Sequence, residues 1–186
     1  AYSLFMQFKY DEAIPLYEKL IAQGFDNFES NFVLGLCYEN QPNKEEALKH
    51  YQKAVQFKSD NATCLFHLAL AEKALNMDSL SMAHFNQSLE VSLPKDRALR
   101  TYKWLADLHF QHSRYADAAR DFELSILYDE EDDPLNYYNA AQMFIASKNK
   151  LKAKLYLQLF LANANRLEDK KEAAQLISKA KEQLKQ

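Results

Sequence analysis

His109 and His112 sit three residues apart on one predicted helix, with Asp107 close by. Two imidazoles and a carboxylate are residue types that ligate zinc. No established zinc spacing surrounds them, and the other histidines, His50, His67 and His84, are scattered. His109 also stands where an aromatic recurs elsewhere in the chain, so packing explains it without a metal. Asp129-Glu130-Glu131-Asp132-Asp133 is a run of five acids, a conceivable patch for a cation or a basic partner. It lacks the glycine and alternating ligands of a calcium loop. It precedes a predicted helix whose N-terminal dipole it complements, and reads as a solvated turn. Cys37 and Cys64 lie on different predicted helices and read as small buried apolar residues. Asn61-Ala62-Thr63 and Asn86-Gln87-Ser88 match the glycosylation triplet, which arises often by chance, and Asn86 falls inside a predicted helix. No serine or cysteine nucleophile is set in a strand–turn–helix context. The expectation is a non-enzyme with no catalytic residue, no cofactor and no metal.

Composition narrows the class further. A chain of 186 residues can bury a substantial core. Two glycines, Gly24 and Gly35, and four prolines are too few for hairpins or phosphate-cradling loops. A net charge of −3 gives no basic face for nucleic acid, so no nucleic-acid partner is expected. No apolar run approaches the ~18 residues of a membrane helix, so no direct membrane insertion is expected either. Two cysteines build no disulfide framework.

The elements that must position any site come from a repeat. From Gly35, an aromatic follows at Tyr38, an alanine at Ala47, an aromatic at Tyr51 and a small residue at Ala54. From Ala69 the same offsets give Glu72, Ser81, Phe85 and Ser88. From Ala106 they give His109, Ala118, Phe122 and Ser125. From Ala141 they give Phe144, Ala153, Leu157 and Phe160, and from Ala1 they give Leu4, Ala13, Tyr17 and Leu20. The central small position thus runs Ala13, Ala47, Ser81, Ala118, Ala153, at steps of 34, 34, 37 and 35. A period in this range means stacked supersecondary units. Such stacks build extended binding surfaces more often than catalytic pockets.

The pattern resembles the tetratricopeptide repeat, a 34-residue helix–turn–helix unit, over roughly residues 1–163. The second repeat matches best, through Leu34-Gly35, Tyr38, Ala47, Tyr51 and Ala54. The family's helix-A Trp position holds Asn31, Leu65, Tyr102 and Tyr137, and its aromatic becomes Glu72 and His109 in the third and fourth repeats. The third repeat is the most degenerate. The resemblance implies an all-α fold, a right-handed α-solenoid of antiparallel helix pairs with a C-terminal capping helix. Its divisions would be a truncated first repeat at 1–27, repeats at 28–61, 62–98, 99–133 and 134–166, and the capping helix at 167–186, all in one continuous domain. The chain begins without Met midway through a helix A, and is expected to be a fragment.

Helical periodicity predicts segments at about 1–8, 10–23, 28–40, 44–57, 62–76, 78–91, 96–112, 115–128, 134–147, 150–163 and 168–184. Asp60, Asp78 and Asp133 are expected N-caps, the last followed by Pro134 at the first helical position. Gly24 suits a helix C-terminus. Three extra residues near Ser92–Lys95 are expected to lengthen one connection. The last helix is expected to cover Leu155, Leu159 and Ala162.

The resemblance further implies a groove lined by helix A. Its offsets fall on Phe32, Leu36, Phe66, Leu70, Lys73, Arg100, Lys103, Asp107, Phe110, Tyr138 and Gln142. The partner would be another protein, offering a peptide or helix segment. The family's clamp for acidic chaperone tails does not carry over, because its Lys/Asn pair becomes Phe32 with Leu36, Phe66 with Leu70, or Lys103 with Asp107. Two other readings stand beside the scaffold: a self-assembly module forming a homo-oligomer, and the interaction domain of a longer protein with a catalytic domain elsewhere.

Overall fold

The computed structural model describes residues 1–185. Every regular element among them is helical. The chain divides into two compact units, Ala1–Leu93 and Pro94 onward, at the stretch where the extra residues were expected. The first unit holds α1 (Tyr2–Met6), α2 (Tyr10–Ala22), α3 (Phe28–Glu39), α4 (Lys44–Phe57), α5 (Ala62–Ala74) and α6 (Asp78–Glu90). The second holds α7 (Lys95–Gln111), α8 (Tyr115–Ile126), α9 (Pro134–Ala146), α10 (Lys150–Asn163), a 3₁₀ turn (Ala164–Arg166) and α11 (Lys170–Gln183). The sequence-derived helix ends agree to within one or two residues.

Short turns fold each helix back on its predecessor, giving the pairs α1–α2, α3–α4, α5–α6, α7–α8 and α9–α10. Four of these turns use one device. Phe8, Asn76, Ser113 and Lys148 adopt positive φ of 59°, 57°, 58° and 61°, one per repeat at the same offset. After α5, the Asn76 N–H donates to the Lys73 carbonyl at 3.0 Å and the Met77 N–H to the Glu72 carbonyl at 2.9 Å. The same double closure follows α1, α7 and α9, and is the Schellman way of satisfying terminal carbonyls. The second repeat places Pro42 at this offset, and its ring fixes φ negative. Gly24, at φ 96°, ends α2 by the same closure.

The small residues lie where the helices of a pair approach. Gly35, Ala69, Ala106 and Ala141 on the first helices are buried, as are Ala13, Ala47, Ser81, Ala118 and Ala153 on the second. Ser81 satisfies its hydroxyl by donating to the Ala69 carbonyl across the pair, at 2.9 Å. Gly35 has the least room. A Cβ there would overlap the Tyr51 ring, coming to 3.0 Å from Cζ and closer still to two other ring carbons.

The aromatic position is filled as a matched pair with the residue twelve further on. Tyr38 stacks on His50, with ring centres 5.6 Å apart. Phe144 stacks on Tyr156 at 5.3 Å. Where the aromatic is lost, both partners change together. Glu72 meets His84 at 2.8 Å, and His109 meets Asp121 at 2.6 Å with the two residue types exchanged. The degenerate third and fourth repeats therefore replace a ring stack with an imidazole–carboxylate contact. Burial pushes the Asp121 carboxyl above its ordinary range, against the hydrogen bond from His109.

Three local expectations are corrected. Asn61, not Asp60, caps α5, accepting from the Cys64 N–H at 2.9 Å. Asp78 is the first residue of α6, and the capping position is Met77, with no side-chain cap. The last helix turns Ala173 and Ala180 inward and packs Leu176, Ile177 and Leu184 against the cluster around Tyr138, Ala141 and Phe160. Of the three α10 residues it was to cover, Leu159 is in that cluster, whereas Leu155 and Ala162 stay exposed. Asp133 does cap α9, accepting from Leu135 N–H at 2.9 Å, with Pro134 first in the helix.

Two stability outcomes follow from this packing. Gly35→Ala should destabilise by about 1–3 kcal/mol, because the buried Tyr51 ring must shift. Thermal melting checks it, and an unchanged midpoint would show that the ring can give. Asp121→Ala strands the His109 imidazole in the core and should cost roughly 3 kcal/mol. The double change His109→Phe with Asp121→Tyr copies the Phe144–Tyr156 stack and should recover most of that loss in the same measurement.

Candidate protein-binding surface

In the first unit, α3 and α5 bring Phe32, Leu36 and Leu70 to partial exposure, with Lys73 one helical turn beyond Leu70. Phe32 is held on three sides. It stacks on Phe28 at 5.4 Å, meets Tyr51 at 6.0 Å and takes the edge of His67 at 5.9 Å. Glu39 ties these rings together. Its carboxylate accepts from the Tyr51 hydroxyl and lies 2.8 Å from His67 Nδ1. The Lys44 ammonium donates to the Glu39 backbone carbonyl at 2.5 Å. Burial raises the Glu39 carboxyl, but the His67 and Tyr51 hydrogen bonds outweigh it and hold it below its ordinary value of 4.5. The face is thus an apolar strip anchored on a charged, preorganised knot.

Phe66, expected on this face, is instead core. It is 1% exposed, lies 6.0 Å from Phe85 and meets His67 edge-on at 5.4 Å. Its neighbour His67 takes the partly exposed place. The family offsets step over His67, so the resemblance missed it. The signal was chemical: an imidazole beside Phe66 on an otherwise apolar helix, with Glu39 on the preceding repeat.

In the second unit, Arg100 and Phe110 are exposed, and Lys103 and Asp107 are partly so, all on α7. Phe110 leans on Tyr115 at 5.4 Å. Tyr138, also expected on the groove, is buried 5.1 Å from Phe160. Gln142 exchanges both amide hydrogen bonds with Gln183 of α11, at 3.1 and 3.0 Å. The capping helix therefore occupies the α9 face that was expected to take ligand.

The remaining candidates are absorbed by structure. Asp129 accepts from the Asp133 N–H and the Asn136 amide, at 2.8 and 2.5 Å. Asp132 pairs with Arg166 at 2.7 Å, and Glu130 with Lys95 at 3.0 Å. Burial pushes the Cys37 thiol up to about 11 and that of Cys64 to about 12, so neither forms thiolate near neutrality. Among the described residues, no group of three or more His, Cys, Asp or Glu is placed to hold a metal ion. No described helix is long and apolar enough to cross a membrane.

The Glu39 knot gives a pH signature. A carboxyl depressed on folding stabilises the fold fully above its unfolded value, and that contribution disappears as pH falls through the lower folded value. The melting-temperature gap between the native protein and Glu39→Gln should therefore be constant above about pH 4.5 and shrink below it. A gap independent of pH from 7 to 3 would show that Glu39 is not ionised in the fold.

The family described as anaphase-promoting complex, cyclosome, subunit 3 matches residues 6–78. DnaJ homolog subfamily C member 3 from Gallus gallus is 25% identical over 190 residues, covering 93% of this chain. The chain spans 38% of that relative's length. Among solved structures, MamA superposes with a TM-score of 0.75 at 15% identity, covering 88% of this chain and 94% of that one. The APC/C hetero-tetramer Cut9-Hcn1 gives a TM-score of 0.65 at 16% identity, covering 96% of this chain and 34% of that one. Together with the 34-residue register, the helix pairs and the small residues between them, these matches show a tetratricopeptide-repeat fold.

Proposed function

We propose that the chain is a non-enzymatic scaffold that binds an extended or helical segment of another protein. The observation that carries this reading is the first-unit face. Phe32, Leu36 and Leu70 are partly exposed apolar side chains beside the rigid Glu39–Tyr51–His67 knot. Apolar anchors in a preorganised setting usually dominate binding energy, whereas charges at the rim contribute less. The segment that fits presents bulky apolar residues to Phe32, Leu36 and Leu70. Lys73, one helical turn beyond Leu70, supplies a polar contact at the edge of this face. The solved complex containing Cut9 and Hcn1 shows a likeness of this fold associating with protein.

A second reading, self-assembly, draws on one observation. Leu127, Leu151 and Leu155 of the second unit are 75%, 82% and 50% exposed. Light scattering over a range of concentrations separates the two readings.

The scaffold reading is tested with a partner recovered by affinity capture and then titrated as purified protein. Leu36→Asp combined with Leu70→Asp should lower affinity at least about tenfold, with helicity by circular dichroism unchanged. Lys103→Ala should weaken binding by less than about threefold. Undiminished affinity in the folded double variant would remove this face as the site.

A further inference from the structure

The second unit carries a pocket of about 500 Å³ where the C-terminal end of α9, the first turns of α10 and the end of α11 meet. Its apolar wall is made by Ile145, Leu157 and Leu184. Lys148, Lys150 and Lys154 line it as well, and no acidic residue does. Charge elsewhere on this helix is neutralised within the fold: Lys152, between two of these lysines, pairs with Glu123 at 2.6 Å and lies 5.2 Å over the Phe144 ring. No carboxylate pairs with the three pocket lysines among the described residues. All three are exposed. The backbone holds them together: Lys148 occupies the positive-φ turn that closes α9, and Lys150 and Lys154 are four apart on one face of α10.

Three like charges around an apolar recess are unfavourable alone and are relieved by an anionic occupant with an apolar part. The volume suits one anchored side chain with its flanking backbone. Access is from solvent, because Ile145 is 40% exposed. The pocket shares no residue with the first-unit face, and its lysines lie on the turn and the second helix of the pair rather than on the helix-A offsets.

We infer that this pocket binds an acidic segment of a partner polypeptide, inserting one bulky apolar side chain against Ile145, Leu157 and Leu184 while flanking carboxylates meet Lys148, Lys150 and Lys154. Charge complementarity selects this occupant. A purely apolar segment leaves the lysines unmatched, and a purely acidic one leaves the wall uncovered.

The test is fluorescence anisotropy with a labelled peptide, Glu-Asp-Phe-Asp-Glu, blocked at both ends, at low ionic strength. It should bind saturably, and binding should weaken as salt is raised. The triple variant Lys148→Ala, Lys150→Ala, Lys154→Ala changes only exposed side chains and should lower affinity at least about tenfold. A peptide with glycine for phenylalanine should lose a similar factor, and Lys-Lys-Phe-Lys-Lys should not bind. The Leu36→Asp, Leu70→Asp variant should bind the acidic peptide unchanged, which separates this site from the scaffold face. Absence of peptide binding, or binding indifferent to the triple variant, overturns the inference. So does equal binding of the glycine peptide, which would mark simple charge adsorption. Two further outcomes also overturn it. One is lysine-dependent binding to phosphatidylserine vesicles without peptide binding. The other is lysine-dependent self-association without peptide binding.

Discussion

The close approach of two helices through small residues is the constraint on which the rest of this molecule depends. Each of the four pairs from α3 to α10 is set by a buried glycine or alanine on its first helix and an alanine or serine on its second. At Gly35 even one methyl group would overlap the Tyr51 ring. That ring is fully buried and is held by Glu39 at its hydroxyl. The spacing of the helices and the placement of the polar knot beside Phe32 are therefore one geometric fact. A change that moved α3 away from α4 would also release Glu39, His67 and Phe32.

Around this contact the repeats differ in chemistry while keeping one geometry. The pair formed by the aromatic position and the residue twelve further on is a ring stack in two repeats and an imidazole–carboxylate contact in two others. Ring stacks contribute through area and quadrupole. Buried imidazole–carboxylate contacts must recover desolvation through hydrogen bonding, and they tolerate loss of one partner poorly. The repeats are thus interchangeable in shape but differ in how they respond to mutation.

The surface divides by the same logic. On the first unit, polar groups are used to fix apolar ones, leaving a rigid strip. On the second, α11 reaches α9, taking Gln142 and packing on Tyr138's cluster. Lysines then collect at the edge where α11 ends. The two surfaces differ in charge and in anchoring.

The sequence by itself determined the helices, their pairing and the repeat register, because these depend on local periodicity, turn residues and the recurrence of small side chains. Gly24 and Asp133-Pro134 were legible for the same reason: helix ends are local chemistry. Whether a given helix-A residue faces solvent was decided by tertiary structure. Phe66 and His67 are adjacent, and the offsets alone favoured the wrong one, since a rotation of a helix by one residue exchanges buried and exposed sides. The exchange of Glu72 with His84 and of His109 with Asp121 looked like degeneracy until the pairs were seen together, because compensation is a property of contact and not of either position. The cover of Gln142 by α11, and the three unmatched lysines around an apolar recess, likewise exist only once the last helix is docked. No local pattern in the chain records which face that helix chooses.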